Sequence, residues 1–80
     1  MPWVEVVWTD DNIAHLARHD VSPEEAEAVL TEPDEQTTSA SSGRPIVAGY
    51  TPAGRYLVVV YEIIDPITVY PITAYEVPTE

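Results

Sequence analysis

The run Leu57-Val58-Val59-Val60-Tyr61 restricts the fold more than any other stretch of this chain. Apart from Leu57 its residues are β-branched or aromatic, and consecutive strand residues point to opposite faces of a sheet. A strand that is apolar on both faces belongs in the middle of a sheet. The chain must then supply neighbours on each side of it. Residues 46–51, 56–64 and 67–77 all have strand character, and turns at Thr51-Pro52-Ala53-Gly54 and Asp65-Pro66 separate them. Pro71 cannot donate to a ladder, so the last strand is predicted to be an edge there or to carry a bulge. Residues 36–42 are polar, with Thr37 and Thr38 tolerant of an edge strand and Ser41-Ser42-Gly43 marking a turn.

The first half reads differently. Residues 3–8 alternate, with Val4, Val6 and Trp8 on one face and Trp3, Glu5 and Val7 on the other, which predicts a strand. Only one of the two tryptophans is then expected in the core, and the other marks a partner surface. Thr9 or Asp10 can cap a short helix over 12–19, where Ile13, Leu16 and Ala17 have helical spacing. Ser22-Pro23-Glu24-Glu25 is a stronger start signal, with a capping serine, a proline in the first turn and a glutamate three residues after the serine. Val21 can staple onto Ala26, and Ala26, Val29 and Leu30 form the buried stripe. Pro33 ends the helix. The order strand, two helices, then a meander of strands predicts one α+β domain over residues 1–80, a small antiparallel sheet with both helices on one face.

Composition narrows the function. Fourteen acidic residues face three arginines and no lysine, a net charge of −11 at pH 7. Such a field repels phosphate backbones and acidic membranes and attracts a basic partner. With no cysteine there is no disulfide and no thiolate metal site. No apolar run reaches the roughly 20 residues of a membrane span. The N-terminal residues carry no basic segment, so no secretory signal is expected and the cytoplasm is the expected compartment. A domain of this size buries a modest core, and its polar sheet edges need protection, so a homodimer is expected.

Few residues can carry chemistry. His15 and His19 lie four apart beside Arg18, and imidazole can act as a general acid or base near neutral pH. An ordinary polar helix face is the favoured explanation of them, and a zinc reading lacks a third ligand beyond Asp11. Arg44 and Arg55 each follow a glycine in a turn and could clamp a phosphate together, or could simply balance the acidic surface. Tyr50 and Tyr75 could stack bases, although strand tyrosines commonly pack on sheets or at interfaces.

Several of these residues form an ordered set. Asn12, Arg18-His19-Asp20-Val21 and Ser22-Pro23-Glu24-Glu25-Ala26, followed by Gly43-Arg44-Pro45, Gly49-Tyr50-Thr51, Gly54-Arg55, Leu57-Val58-Val59-Val60-Tyr61 and Ile72-Thr73-Ala74, resemble the BrnT-like toxin family over nearly the whole chain. Asp20 stands where that family has glycine, and Tyr75-Glu76-Val77 follow where it continues with arginine. The resemblance implies a RelE-like fold and the toxin component of a type II toxin–antitoxin system, an mRNA endoribonuclease that needs no metal and no cofactor. It implies a cognate antitoxin as partner. His15, His19, Arg44 and Arg55 become candidate catalytic residues, with Arg18, Tyr50 and Tyr75 as candidate substrate contacts. RNA contact is confined to the three arginines, and a non-catalytic acidic module that binds a basic protein is the alternative.

Overall fold

The computed structural model describes residues 5–78. Both helices start at reciprocal capping boxes. In α1 (Asp10–Ala17) the Thr9 hydroxyl accepts from the Asn12 N–H, and the Asn12 side chain accepts from the Thr9 N–H at 2.8 Å. The helix therefore starts two residues before the apolar spacing becomes visible, because the first turn is defined by its cap. At its far end Asp20 takes φ 60°, and the Val21 N–H reaches the Leu16 carbonyl while the Asp20 N–H reaches that of Ala17. This is the paired closure that a left-handed residue permits. In α2 (Pro23–Thr31) Ser22 and Glu25 exchange the same bonds, as the sequence predicts.

The strands are β1 (Glu5–Val6), β2 (Glu35–Thr38), β3 (Pro45–Tyr50), β4 (Tyr56–Asp65) and β5 (Thr68–Glu76), in the order β1-β5-β4-β3-β2. β4 is central, as its composition requires. The sheet is mixed, which corrects the expectation of an antiparallel one. β1 runs parallel to β5, with Glu5 opposite Thr68 and Val6 opposite Val69. The helices and three strands separate these two, so no hairpin turn fixes their relative direction. β1 is also shorter than the predicted strand over 3–8, although Trp3 and Val4 lie outside the described residues.

Beside Pro71 a bulge forms. Val60 faces Thr73 and Tyr61 faces Pro71, which leaves Ile72 unmatched. A second shift, at Ile63/Asp65, leaves Ile64 unmatched near the β4–β5 turn, where Ile63, Ile64 and Ile67 are exposed.

The core lies on one face of the sheet. Leu16, Val21, Ala26, Val29 and Leu30 from the helical half meet Val47, Leu57, Val59, Val69 and Ala74 from the strands, with Val6, Trp8 and Tyr61 at the margin. α1 packs on β5, and α2 packs on β3 and β4. Gly49 permits a close crossing here. A Cβ at that position would stand 3.2 Å from the Asp34 nitrogen, because the chain leaving α2 crosses close over β3. No helix among the described residues is long and apolar enough to cross a membrane.

Candidate functional site

The candidate residues divide into three groups. The first is at the end of α1, where His15 and His19 are both exposed beside exposed Arg18. His15 precedes Arg18 and His19 by about one turn, so these side chains emerge from neighbouring positions. The His19 ring lies 6.3 Å from that of Tyr75 on β5, tilted by 60°. Two imidazoles, a guanidinium and a phenol thus gather at one end of the helix. No group of three His, Cys, Asp or Glu side chains among the described residues could hold a metal ion.

The second group centres on Arg55, just before β4. Its Nη1 donates to both carboxylate oxygens of Glu25, at 2.9 and 2.7 Å, and its Nε and Nη2 donate to Glu76 at 3.2 and 3.1 Å. Two carboxylates from distant elements therefore hold one guanidinium, about a quarter exposed. The Ser22 N–H donates to the same Glu25 carboxylate at 3.0 Å. This backbone bond, helped by Arg55, holds the Glu25 carboxyl below its ordinary range despite partial burial. Hydrogen bonding to Glu25 and then Glu76 raises the Arg55 pKa still further. The cluster ties the start of α2 to the start of β4 and the end of β5. Most of the guanidinium donors are directed at these carboxylates, whose two negative charges disfavour a phosphate beside them.

Arg44 forms the third group. It precedes β3, and its Nε lies 3.9 Å from Glu62, with both side chains largely exposed. In the β3–β4 register Ile46 faces Val60 and Tyr50 faces Tyr56, so Arg44 and Arg55 lie at opposite ends of the hairpin. At ~3.3 Å per strand residue they are on the order of 20 Å apart. The shared phosphate clamp expected of them is therefore corrected: no single phosphate can reach both. Tyr50 also stands apart from the α1 group. Its ring packs edge-on against Tyr56, with centroids 4.8 Å apart.

Glu25 reads from the sequence only as a capping residue, and nothing in the sequence marks Glu76 as a partner of Arg55. The first was visible as a local motif, but pairing across 21 and 30 residues leaves no local signal. Trp8 is half-buried, and its indole N–H donates to Glu27 at 2.6 Å, so it is not a free partner-binding ring. Beside it, a shallow hollow of about 340 Å3 on α2 is lined by Glu24, Glu27, Ala28, Thr31 and Glu32.

No family model, curated protein or solved structure matches this chain.

Proposed function

We propose that this chain is the toxin component of a type II toxin–antitoxin pair, a BrnT-like domain of RelE-like fold that acts in the cytoplasm. It cleaves RNA without a metal and is silenced by a cognate antitoxin. The observation that carries this reading is where the motif residues stand. Asn12 joins β1 to β5, Asp20 closes α1, and Glu25 and Arg55 join α2 to the central strand. Residues scattered through the sequence thus act together at the junctions of one fold, as a set of family-defining positions would.

Within this reading the chemistry is assigned to the end of α1. Arg55 is committed to Glu25 and Glu76, and Arg44 lies far from the histidines' strand neighbour Tyr75, across the sheet. In the proposed reaction one imidazole takes the proton of the RNA 2′-hydroxyl. That oxygen attacks the adjacent phosphorus, and the other imidazole protonates the departing 5′ oxygen. The products are a 2′,3′-cyclic phosphate and a 5′-hydroxyl, and no water or metal enters the balance. Arg18 meets the charge that develops on the non-bridging oxygens.

Expression of the chain in bacteria tests this reading. Growth arrest that is relieved when the protein of the adjoining reading frame is co-expressed supports it. Unchanged growth with the folded chain present counts against it. The expected homodimer belongs to the same proposal, because β2 is an edge strand exposed at every residue. Light scattering that finds only monomer at high concentration would remove that part.

A second reading has its own support. Two carboxylates neutralise Arg55, and the net charge is −11, which suits a non-catalytic module that binds a basic protein. RNA left intact at high protein concentration favours it.

A further inference from the structure

The centre of the second face of the sheet is apolar, and among the described residues the helical core residues pack against the other face. Alternation along the strands puts Val58 and Val60 of β4 on the side opposite buried Leu57 and Val59. In register with them are Ile46 and Ala48 of β3, and Thr73 and Tyr75 of β5. The central strand is thus apolar on both faces, while the buried sides of α1 and α2 pack on one; α1 reaches the other only at its two ends, where Thr9 meets the Tyr70 hydroxyl at 3.2 Å and His19 lies beside Tyr75. The packed Tyr50–Tyr56 pair closes one end of the uncovered surface.

Its rim is acidic. Glu35 faces Ala48, Glu62 faces Tyr70 and Glu5 faces Thr68, so three strands contribute carboxylates to this side. The only arginine beside them is Arg44, which is paired with Glu62. Burial, reinforced by the charges of Glu35 and Asp34, raises the Tyr56 hydroxyl pKa, as expected within a negative field.

We propose that this face docks an amphipathic helix of a basic partner protein, its apolar ridge on Val58 and Val60 and its lysines or arginines against Glu35 and Glu62. The proposal rests on the reading of this chain as one half of a two-protein pair. The same sheet already receives a helix on its other side, where α2 crosses β3 and β4, so its twist suits that shape. Five strands at about 4.8 Å spacing span roughly 20 Å, the length of about 13 helical residues. A second copy of the chain would set one acidic rim against another, and RNA would bring phosphates to the same field. A basic helix satisfies both the apolar centre and the rim.

The probe is an amphipathic peptide of about 18 residues, leucine on one face and lysine on the other. It is titrated into 15N-labelled full chain, with a matched peptide carrying glutamate in place of lysine as control. The expected result is a saturable set of amide shifts centred on Ile46, Val58, Val60 and Thr73, with no binding of the glutamate peptide. The double variant Glu35→Lys/Glu62→Lys changes only exposed positions, and its fold is checked by circular dichroism. It should weaken binding by about tenfold or more. Shifts gathered on Glu24, Glu27 and Glu32 of α2, equal binding of both peptides, or an unaffected double variant would overturn the proposal. Growth arrest and RNA cleavage are read separately, so failure of docking and failure of the toxin reading remain distinguishable.

Discussion

The Asn12 side-chain amide donates at 3.1 Å to the carbonyl of Pro71, fifty-nine residues further along the chain. The same Nδ2 donates at 2.9 Å to the carbonyl of Val7. The β1–β5 ladder has just ended with the Val7 N–H on the Val69 carbonyl. Asn12, itself 1% exposed, continues that ladder with a side chain while its oxygen caps α1. One residue therefore fixes the helix, the first strand and the last strand together.

Asn12→Asp separates these roles, because a carboxylate keeps the cap but cannot donate to the two carbonyls. It should cost about 2–3 kcal/mol through unsatisfied buried acceptors and a poorly solvated charge. Asn12→Ala should cost a similar amount through lost donors and lost cap. Urea denaturation measures both. An Asn12→Asp protein as stable as the parent would show that the bridge carries no weight.

Asp20 holds φ 60° at the end of α1, a region that aspartate tolerates and glycine enters freely. Asp20→Gly should therefore stabilise the domain by about 0.5–1 kcal/mol, with the left-handed strain outweighing the added freedom of the unfolded chain. A lowered urea midpoint would mean that the aspartate makes a compensating contribution.

Glu25 gives a pH dependence with a definite sign. Its folded-state pKa lies below the unfolded value near 4.5, chiefly through the Ser22 N–H and then through Arg55. The stability it contributes is present above the unfolded pKa and is lost as pH falls through the folded one. Glu25→Gln keeps the capping geometry and removes the charge. The variant should be less stable than the parent at pH 7, and the gap should close as pH falls below 4.5. A gap that persists unchanged into acid would assign the effect to packing.

Gly49→Ala tests the crossing over β3. The neighbouring atoms belong to the backbone of Glu32, Pro33 and Asp34 and cannot rotate away, so a loss of about 1–3 kcal/mol is expected. Thermal denaturation at the parent temperature would contradict the close approach.

What could be read in advance follows from range. The caps at Thr9 and Ser22, the turn at Thr51–Gly54 and the central position of β4 are set by residues within a few positions of one another, and each is visible in the sequence. The parallel pairing of β1 with β5 is not, because it depends on a register between strands more than sixty residues apart. The candidate site divides in the same way. His15, Arg18 and His19 are neighbours by helical spacing, but Tyr75 joins them through the docking of α1 on β5. Arg55 was legible as a turn arginine, yet its role is set by Glu25 and Glu76, which only the folded chain brings to it. The uncovered face was hidden in the Val58–Val60 run, because apolar residues on both sides of a strand do not say how many helices the chain will provide.

The most direct measurement is RNA cleavage by the purified chain in the presence of a chelator, compared with His19→Ala, whose exposed side chain can be removed without disturbing the core. The parent protein should yield fragments ending in 2′,3′-cyclic phosphate, unaffected by the chelator and lost in the variant. RNA that stays intact at stoichiometric concentrations of folded parent protein would contradict this expectation.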